Sequence, residues 1–276
     1  MKKLDIKEIQ NLSYTDFVSF IKEENRPSGG KDTIREIAIN SFINENSKVL
    51  EIGCTNGFSS LEINKLVNCH VIGIDINQNS VNNANERIKE NGLDINKVKF
   101  EYGDAENLRF DDNEFDLIIC GNALSFISDK NKALHEIKRV LKPNGFISLV
   151  PIWYKSEPDM NIVHKVNQEL GFNIVCTKEQ DWMNFENLGL ELYFKKNYQY
   201  IKASSQELNH YIDTMIDNKM HLHEYSSEEI QVIKTRWKRT MRVFNENAGI
   251  TNYSVILLRK CLVPEEVTLL STKPLN

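Results

Sequence analysis

The sequence predicts an α/β protein built on a seven-stranded, mostly parallel sheet, with helices on both faces and a helical elaboration after the fifth strand. Three observations carry that expectation. Between residues 31 and 150, apolar runs of strand length alternate with amphipathic stretches of helix length. The runs are continuous and β-branched, as in strands covered on both faces. The 276 residues, 41% hydrophobic and 26% charged, are enough for one full core plus an addition, and exclude a disordered or fibrous chain.

In chain order, residues 1–30 read as an N-terminal segment that is either a lid or a helix packed on the sheet, with Tyr14, Phe17 and Arg26 ahead of the turn Pro27-Ser28-Gly29-Gly30. Ile34, Ile37, Ala38 and Phe42 fall on one helical face over residues 33–42, and Lys48–Ile52 is the first buried strand. Val71–Asp75 is the second. Ser80–Glu90 is a helix closed by Asn91-Gly92, and Lys97–Tyr102 is the third strand. Phe115–Cys120 is the fourth. The next helix, carrying Leu134, Ile137 and Leu141, stops at Lys142-Pro143-Asn144-Gly145, and Phe146–Val150 is the fifth strand.

After Pro151 the rhythm breaks into a helix over 158–170, a short helix over 180–188, a strand over 190–200, two longer helices and a strand over 252–259. Leu208, Tyr211, Ile212, Met215 and Ile216 form one apolar stripe, and Ile230, Ile233, Trp237, Met241 and Phe244 form another; both are expected to pack on the core. The implied organisation is a lid over 1–30, a ligand-binding core over 31–151, a substrate-side elaboration over 152–263 and a tail over 264–276.

Composition removes several function classes. A net charge of −5 offers no broad basic surface for a polyanion, so nucleic acid is not the expected partner. The N-terminus has no apolar run long enough for a signal peptide or membrane span, and a cytoplasmic protein is expected. Five cysteines without a CxxC pair suggest buried thiols, and His221-Leu222-His223 lacks a third ligand, so no metal is expected. In the basic run Lys234–Arg242, Trp237 belongs to the apolar stripe, and the charges read as a solvated helix face.

The chemistry centres on Val49-Leu50-Glu51-Ile52-Gly53-Cys54-Thr55-Asn56-Gly57-Phe58, a buried strand running through an acid and a glycine-bearing turn into a helix. Glycine there lets a ligand approach the backbone closely. Asp75 follows at the end of the second strand, 18 residues beyond Gly57, where a carboxylate accepts both hydroxyls of a ribose. Together they point to a nucleoside-containing ligand at the carboxyl edge of the sheet. The GxxxG spacing fits a dinucleotide site poorly, and no Gly-Lys-Ser/Thr ending marks a phosphate loop. A cofactor without a phosphate chain is therefore preferred.

The run Glu51–Gly57, followed in order by Gly73-Ile74-Asp75-Ile76, Tyr102-Gly103-Asp104-Ala105-Glu106, Phe115-Asp116-Leu117-Ile118 and Leu141-Lys142-Pro143-Asn144-Gly145-Phe146, resembles the class I S-adenosylmethionine-dependent methyltransferases of the small-molecule type. The resemblance covers roughly residues 45–150 and implies a Rossmann-like core with S-adenosylmethionine as cofactor. By it Glu51, Gly53, Cys54 and Gly57 would line the methionine end. Asp75 would hold the ribose, Ile76 would lie against the adenine, and Asp104 and Ala105 would meet the adenine edge. Cys120, Gly121 and Asn122 would pass beside the sulfonium. Thr55 departs from the family, which often has a second glycine there.

Neither an Asp/Asn-Pro-Pro-aromatic motif nor a Cys-Pro nucleophile nor an acidic metal cluster follows the fourth strand, where Cys120-Gly121-Asn122-Ala123 and Ser125-Phe126-Ile127 stand. The expected function is methyl transfer to a small-molecule N or O nucleophile by in-line displacement, with no catalytic base identified; His164 reads as a solvent-facing helix residue. Tyr14, Arg26, Trp153, Tyr154 and Trp182 are candidate acceptor-side residues, with Phe185 beside Trp182. The alternatives are a methyltransferase acting on protein or RNA, and a non-catalytic S-adenosylmethionine-binding protein.

Overall fold

The computed structural model of the protein describes residues 3–182 and 189–261. Its centre is a sheet of β1 (Lys48–Ile52), β2 (His70–Asp75), β3 (Val98–Tyr102), β4 (Phe115–Gly121), β5 (Leu141–Leu149), β6 (Ile152–Tyr154), β7 (Glu191–Gln199) and β8 (Thr251–Arg259). β3, β2, β1, β4 and β5 lie side by side in parallel, and β8 runs antiparallel to β5. The eight strands occupy seven places. β6 pairs with β8 in the same register as β5, from Phe146↔Arg259 through Leu149↔Ile256 to Ile152↔Tyr253 and Tyr154↔Thr251, so it prolongs β5 past Pro151. Proline has no N–H to give the ladder, which divides one strand into two, while its carbonyl still accepts from Ser254 N at 3.1 Å. β7 pairs with β8 in antiparallel fashion and ends the sheet.

The continuous apolar runs follow from the period of two along a strand. Leu50, Ile52, Ile118 and Cys120 join α6 (Lys130–Val140) in one cluster, whereas Val49, Leu117 and Ile119 join α3 (Gly30–Asn40) and α4 (Phe58–Val67) in another. α5 (Gln78–Glu90) packs beside β3. Each fully buried Leu or Ile contributes about 1.5–3 kcal/mol of transfer free energy, so these two faces hold the sheet together.

Three sequence expectations are corrected. α3 ends at Asn40, where Ser41 Oγ donates back to Ile37 O at 2.7 Å; Phe42 lies beyond it with φ 53°, is 66% exposed, and meets Phe146 and Tyr193 instead of the helix face. The fifth strand begins at Leu141 rather than Phe146, a register shift against β4 accommodating Lys142–Gly145. The apolar stripes of α8 (Ser205–Asp217) and α9 (Ser227–Ala248) do not join the sheet core. They pack on each other and on α1 (Ile6–Asn11) and α2 (Tyr14–Phe20), in a separate cluster of Ile9, Phe17, Phe20, Leu208, Ile212, Ile216, Ile233 and Trp237. A helix face wide enough to meet two neighbours is satisfied by other helices as well as by a sheet. α7 (Met160–Leu170) leans on α9 and touches α2.

Candidate cofactor and acceptor site

The parallel strands β3, β2, β1 and β4 end next to one another, which brings Asp104, Asp75, Gly53 and Gly121 to one edge in that order. The turn after β1 is fastened to β2 by two bonds to one carbonyl, Gly53 N and Cys54 N donating to Ile74 O at 2.9 and 3.0 Å. Gly57, at φ 81°, is the N-cap of α4, and a β-carbon there would lie 2.6 Å from Phe100 Cζ. A β-carbon at Gly73 would lie 2.6 Å from Phe100 Cδ1, so the ring of Phe100 fits against both glycines. Thr55 holds φ 45°, a conformation costing a non-glycine residue about 1–2 kcal/mol. Its N–H donates to Asp75 Oδ2 at 2.9 Å and its Oγ1 accepts from Asn25 Nδ2 at 3.0 Å, contacts that offset the strain. This is how threonine occupies a place where glycine is common.

Asp75 Oδ1 accepts from Asn77 N at 2.8 Å, so both carboxylate oxygens are oriented by backbone N–H groups and each keeps a second lone pair for a ligand. Burial raises its proton affinity above the usual carboxylate range, against the pull of those N–H bonds. Next to it Ile76 is 69% exposed, an apolar side chain standing open at the strand end. Asp104 is exposed and accepts from Glu106 N at 2.9 Å; Ala105 instead packs into the sheet core. Around Gly121, at φ 49°, a β-carbon would meet nothing within 4 Å, and Asn122 Oδ1 accepts from Ser125 Oγ at 2.9 Å.

Glu51 is buried and accepts from Ser60 N at 2.9 Å and Ser60 Oγ at 2.6 Å. Burial pushes its pKa up to about 7, with the charge of Asp75 acting in the same direction and the serine bonds opposing. Cys54 and Cys120 are buried thiols; desolvation, then Glu51, pushes Cys120 up to about 12 and Cys54 well up. Neither is poised as a thiolate nucleophile.

The N-terminal segment lies over this edge, tied down by asparagines the sequence reading did not single out. Asn77 Nδ2 donates to Asp16 Oδ1 at 2.7 Å, Asn83 Nδ2 to Ser19 O at 2.8 Å, and Asn56 Nδ2 to Glu23 O at 2.6 Å. Asn56 is fully buried, so its amide satisfies backbone carbonyls that water does not reach. The abundance of asparagine was the one available signal, and abundance does not say which residues turn inward. Tyr14 packs edge-on against Phe244 at 5.6 Å, and Arg26 donates to Glu24 and lies over the Phe58 ring at 5.4 Å.

Trp153 and Tyr154 are placed differently from the sequence expectation, whereas Trp182 packs as a core residue. Trp153 and Tyr154 are interior side chains of β6: Trp153 Nε1 donates to Ser254 Oγ at 2.9 Å, and Tyr154 Oη to Asn247 Oδ1 at 3.0 Å. With its indole N–H engaged and 8% of its surface exposed, Trp153 packs as an interior residue and does not stand at an open mouth. Trp182 packs against the sheet core and donates to Thr177 Oγ1 at 2.9 Å, while Phe185 lies outside the described residues. His164 is exposed and bonds Gln168 at 3.0 Å. His221 and His223 bond to backbone carbonyls of Phe20 and Asp217, and among the described residues no group of His, Cys, Asp and Glu could hold a metal ion.

A family model described as a methyltransferase domain matches residues 43–247. The chain belongs to that methyltransferase family. The methyltransferase is 40% identical over 144 residues to the phosphoethanolamine N-methyltransferase of Plasmodium falciparum, a match covering 50% of this chain and 53% of that protein. It is 32% identical over 142 residues to the demethylmenaquinone methyltransferase of Staphylococcus saprophyticus, covering 50% and 58%. The chain thus spans about half the length of these curated relatives. Among solved structures, the MccD protein superposes with a TM-score of 0.72 at 26% identity, over 86% of this chain and 99% of that one. A phosphoethanolamine N-methyltransferase of Haemonchus contortus shares the fold, with a TM-score of 0.67 at 16% identity over 91% and 61%.

Proposed function

We propose that this methyltransferase transfers the methyl group of S-adenosylmethionine to a small-molecule acceptor. One observation carries the reading: Asp75, oriented by Thr55 N–H and Asn77 N–H but retaining acceptor capacity, stands between an exposed Ile76 and the left-handed turn Gly53–Gly57. Those residues fit the cofactor. Asp75 accepts the ribose hydroxyls, Ile76 lies against the adenine, Asp104 and the backbone of Ala105 border its edge, and Gly53, Cys54 and Gly57 make room for the methionine end above the buried Glu51. Gly121 and Asn122, with Cys120 as the wall beneath, border the reactive sulfur. When bound, the cofactor supplies an electrophilic methyl on a sulfonium. The chain's own residues then align an acceptor lone pair and exclude water, the second task falling to the lid over 1–30.

Small-molecule acceptors are supported by relatives named for phosphoethanolamine and demethylmenaquinone. An RNA acceptor is not favoured, because the cations of the basic run are engaged within the fold. Lys234 and Lys238 pair with Asp213 and Asp217, Arg239 pairs with Glu169, and Arg236 donates to Ile9 O and Leu12 O. No helix among the described residues is long and apolar enough to cross a membrane. Calorimetric titration with S-adenosylhomocysteine tests the cofactor, and methyl-labelled cofactor with fractionated metabolites tests the transfer. Absence of binding by the folded protein defeats the reading.

A further inference from the structure

Two adjacent acids of the lid differ in one respect. Glu24 gathers two guanidinium groups, Arg26 at 2.6 Å and Arg87 at 2.9 Å. Glu23 is only 8% exposed, yet among the described residues no cationic nitrogen lies within 4 Å of it. Its Oε1 accepts from Tyr211 Oη at 3.0 Å, and its Oε2 makes no hydrogen bond. Burial raises the proton affinity of this carboxyl, opposed by the Tyr211 bond and by the more distant charges of Lys219 and Arg26, neither of which comes within 4 Å of it. Lys219 itself donates to Lys22 O at 2.6 Å.

The surroundings of Glu23 suit an organic cation. Among the described residues Tyr14 makes no hydrogen bond through its hydroxyl, and the charge of Glu23 adds to burial in raising its proton affinity. Tyr211 thus supplies one aromatic side chain at the carboxylate, and Tyr14 a second within range of its charge, a combination that attracts ammonium groups through charge and ring quadrupole together. Among the described residues no group of three His, Cys, Asp or Glu stands here to hold a divalent metal. The location is set by Asn56, whose amide holds Glu23 O, and by Asn25, which binds Thr55 Oγ1. Glu23 therefore sits against the turn that meets the methionine end of the proposed cofactor.

We propose that Glu23, with Tyr14 and Tyr211, is the binding site for the ammonium end of the methyl acceptor, so that the acceptor class is a small aliphatic amine or amino alcohol. The proposal rests on the methyltransferase reading above. The test uses choline and its neutral carbon isostere 3,3-dimethylbutan-1-ol, titrated into the whole protein with and without saturating S-adenosylhomocysteine. Choline is expected to bind at least about tenfold more tightly than the isostere, and Glu23→Gln to bring the two within about twofold while S-adenosylhomocysteine affinity stays within about threefold. Glu23→Asp, which keeps the charge but withdraws it by one methylene, is expected to weaken choline about fivefold and leave the isostere unchanged; it decides the matter if the Gln variant does not fold. Equal affinity of the two probes for the wild-type protein overturns the site, as does choline binding indifferent to both substitutions. A tenfold loss of S-adenosylhomocysteine affinity in Glu23→Gln with the probe ratio unchanged also overturns it, and assigns Glu23 to the cofactor's own α-ammonium. A wild-type protein that does not bind S-adenosylhomocysteine defeats the proposed function instead, and the probe ratio of the cofactor-free protein then decides the amine site by itself.

Discussion

Thr55 donates its backbone N–H to Asp75 Oδ2 across 2.9 Å, joining the strained turn after β1 to the acid that ends β2. The carboxylate is a structural acceptor, and in the proposed function it is a ligand group as well. Asp75→Ala is expected to weaken S-adenosylhomocysteine binding by about 1.5–3 kcal/mol, the scale of charge-assisted hydrogen bonds. Asp75→Asn, which retains an oxygen for Thr55, should keep the unfolding midpoint closer to wild type. Calorimetry and thermal unfolding on the same two variants separate the roles, and unchanged affinity in folded Asp75→Ala would remove the residue from the site.

Glu51 makes stability depend on pH with a sign opposite to that of a salt-bridged acid. Its pKa is raised on folding from 4.5 to about 7, so between those values the native state holds more protons than the unfolded state. Stability from this group is complete below pH 4.5 and is lost as pH rises through about 7, at most about 3 kcal/mol in all. Glu51→Gln keeps an acceptor for Ser60 and does not titrate. Urea unfolding should find it close to wild type at pH 5 and more stable at pH 8; equal pH dependence of the two proteins would contradict the assignment.

Gly57→Ala combines two penalties, a positive φ of 81° and a methyl 2.6 Å from Phe100 Cζ. The expected cost is about 2–4 kcal/mol, from left-handed backbone strain and overpacking together. Phe100→Leu should recover part of it by clearing the contact. Denaturant midpoints of the two single variants and the double variant give the coupling, and simple additivity would show that Phe100 is not what the methyl meets.

Arg236 fixes the lid to the cap, donating to Ile9 O and Leu12 O while its guanidinium stacks 4.1 Å from the Phe17 ring centroid. Lysine keeps the charge but cannot fork to two carbonyls or stack as a plane. Arg236→Lys is expected to lose about 1.5–3 kcal/mol and to open residues 3–20 to limited proteolysis ahead of the sheet. Cleavage first within the sheet region would argue against this anchoring role.

The parallel half of the sheet was legible because Val49–Ile52 and Leu117–Ile119 must bury both faces, which requires an unbroken apolar run that nothing else in the chain imitates. Gly53 and Asp75 were legible for the same reason, since they punctuate the ends of such runs. What sequence spacing could not reveal was partnership. The helical stripe on α9 shows that Trp237 is buried but not that Phe17 lies 6.1 Å away, and Glu23 and Glu24 look alike until the fold gives only one of them its arginines. Trp153 misled because a strand expected to end at Val150 continues past Pro151, which carries the indole into the interior.

The cluster made by α1, α2, α8 and α9 joins residues from opposite ends of the chain. Arg236 meets Ile9 across 227 residues, and Tyr225 accepts from Leu4 N across 221. During synthesis the earliest helices emerge with their apolar faces uncovered, and they cannot close until α9 has left the ribosome. Local contacts form first and such distant ones last, so the parallel strands β1 to β5 are expected to pair while α1 and α2 still wait for α9, and β8, which follows α9 in the chain, joins later still. Closure of the N-terminal helices is therefore a late event, and a chain stalled before residue 226 would present the parallel strands without α9 and without β8, the strand that joins β5 to β7.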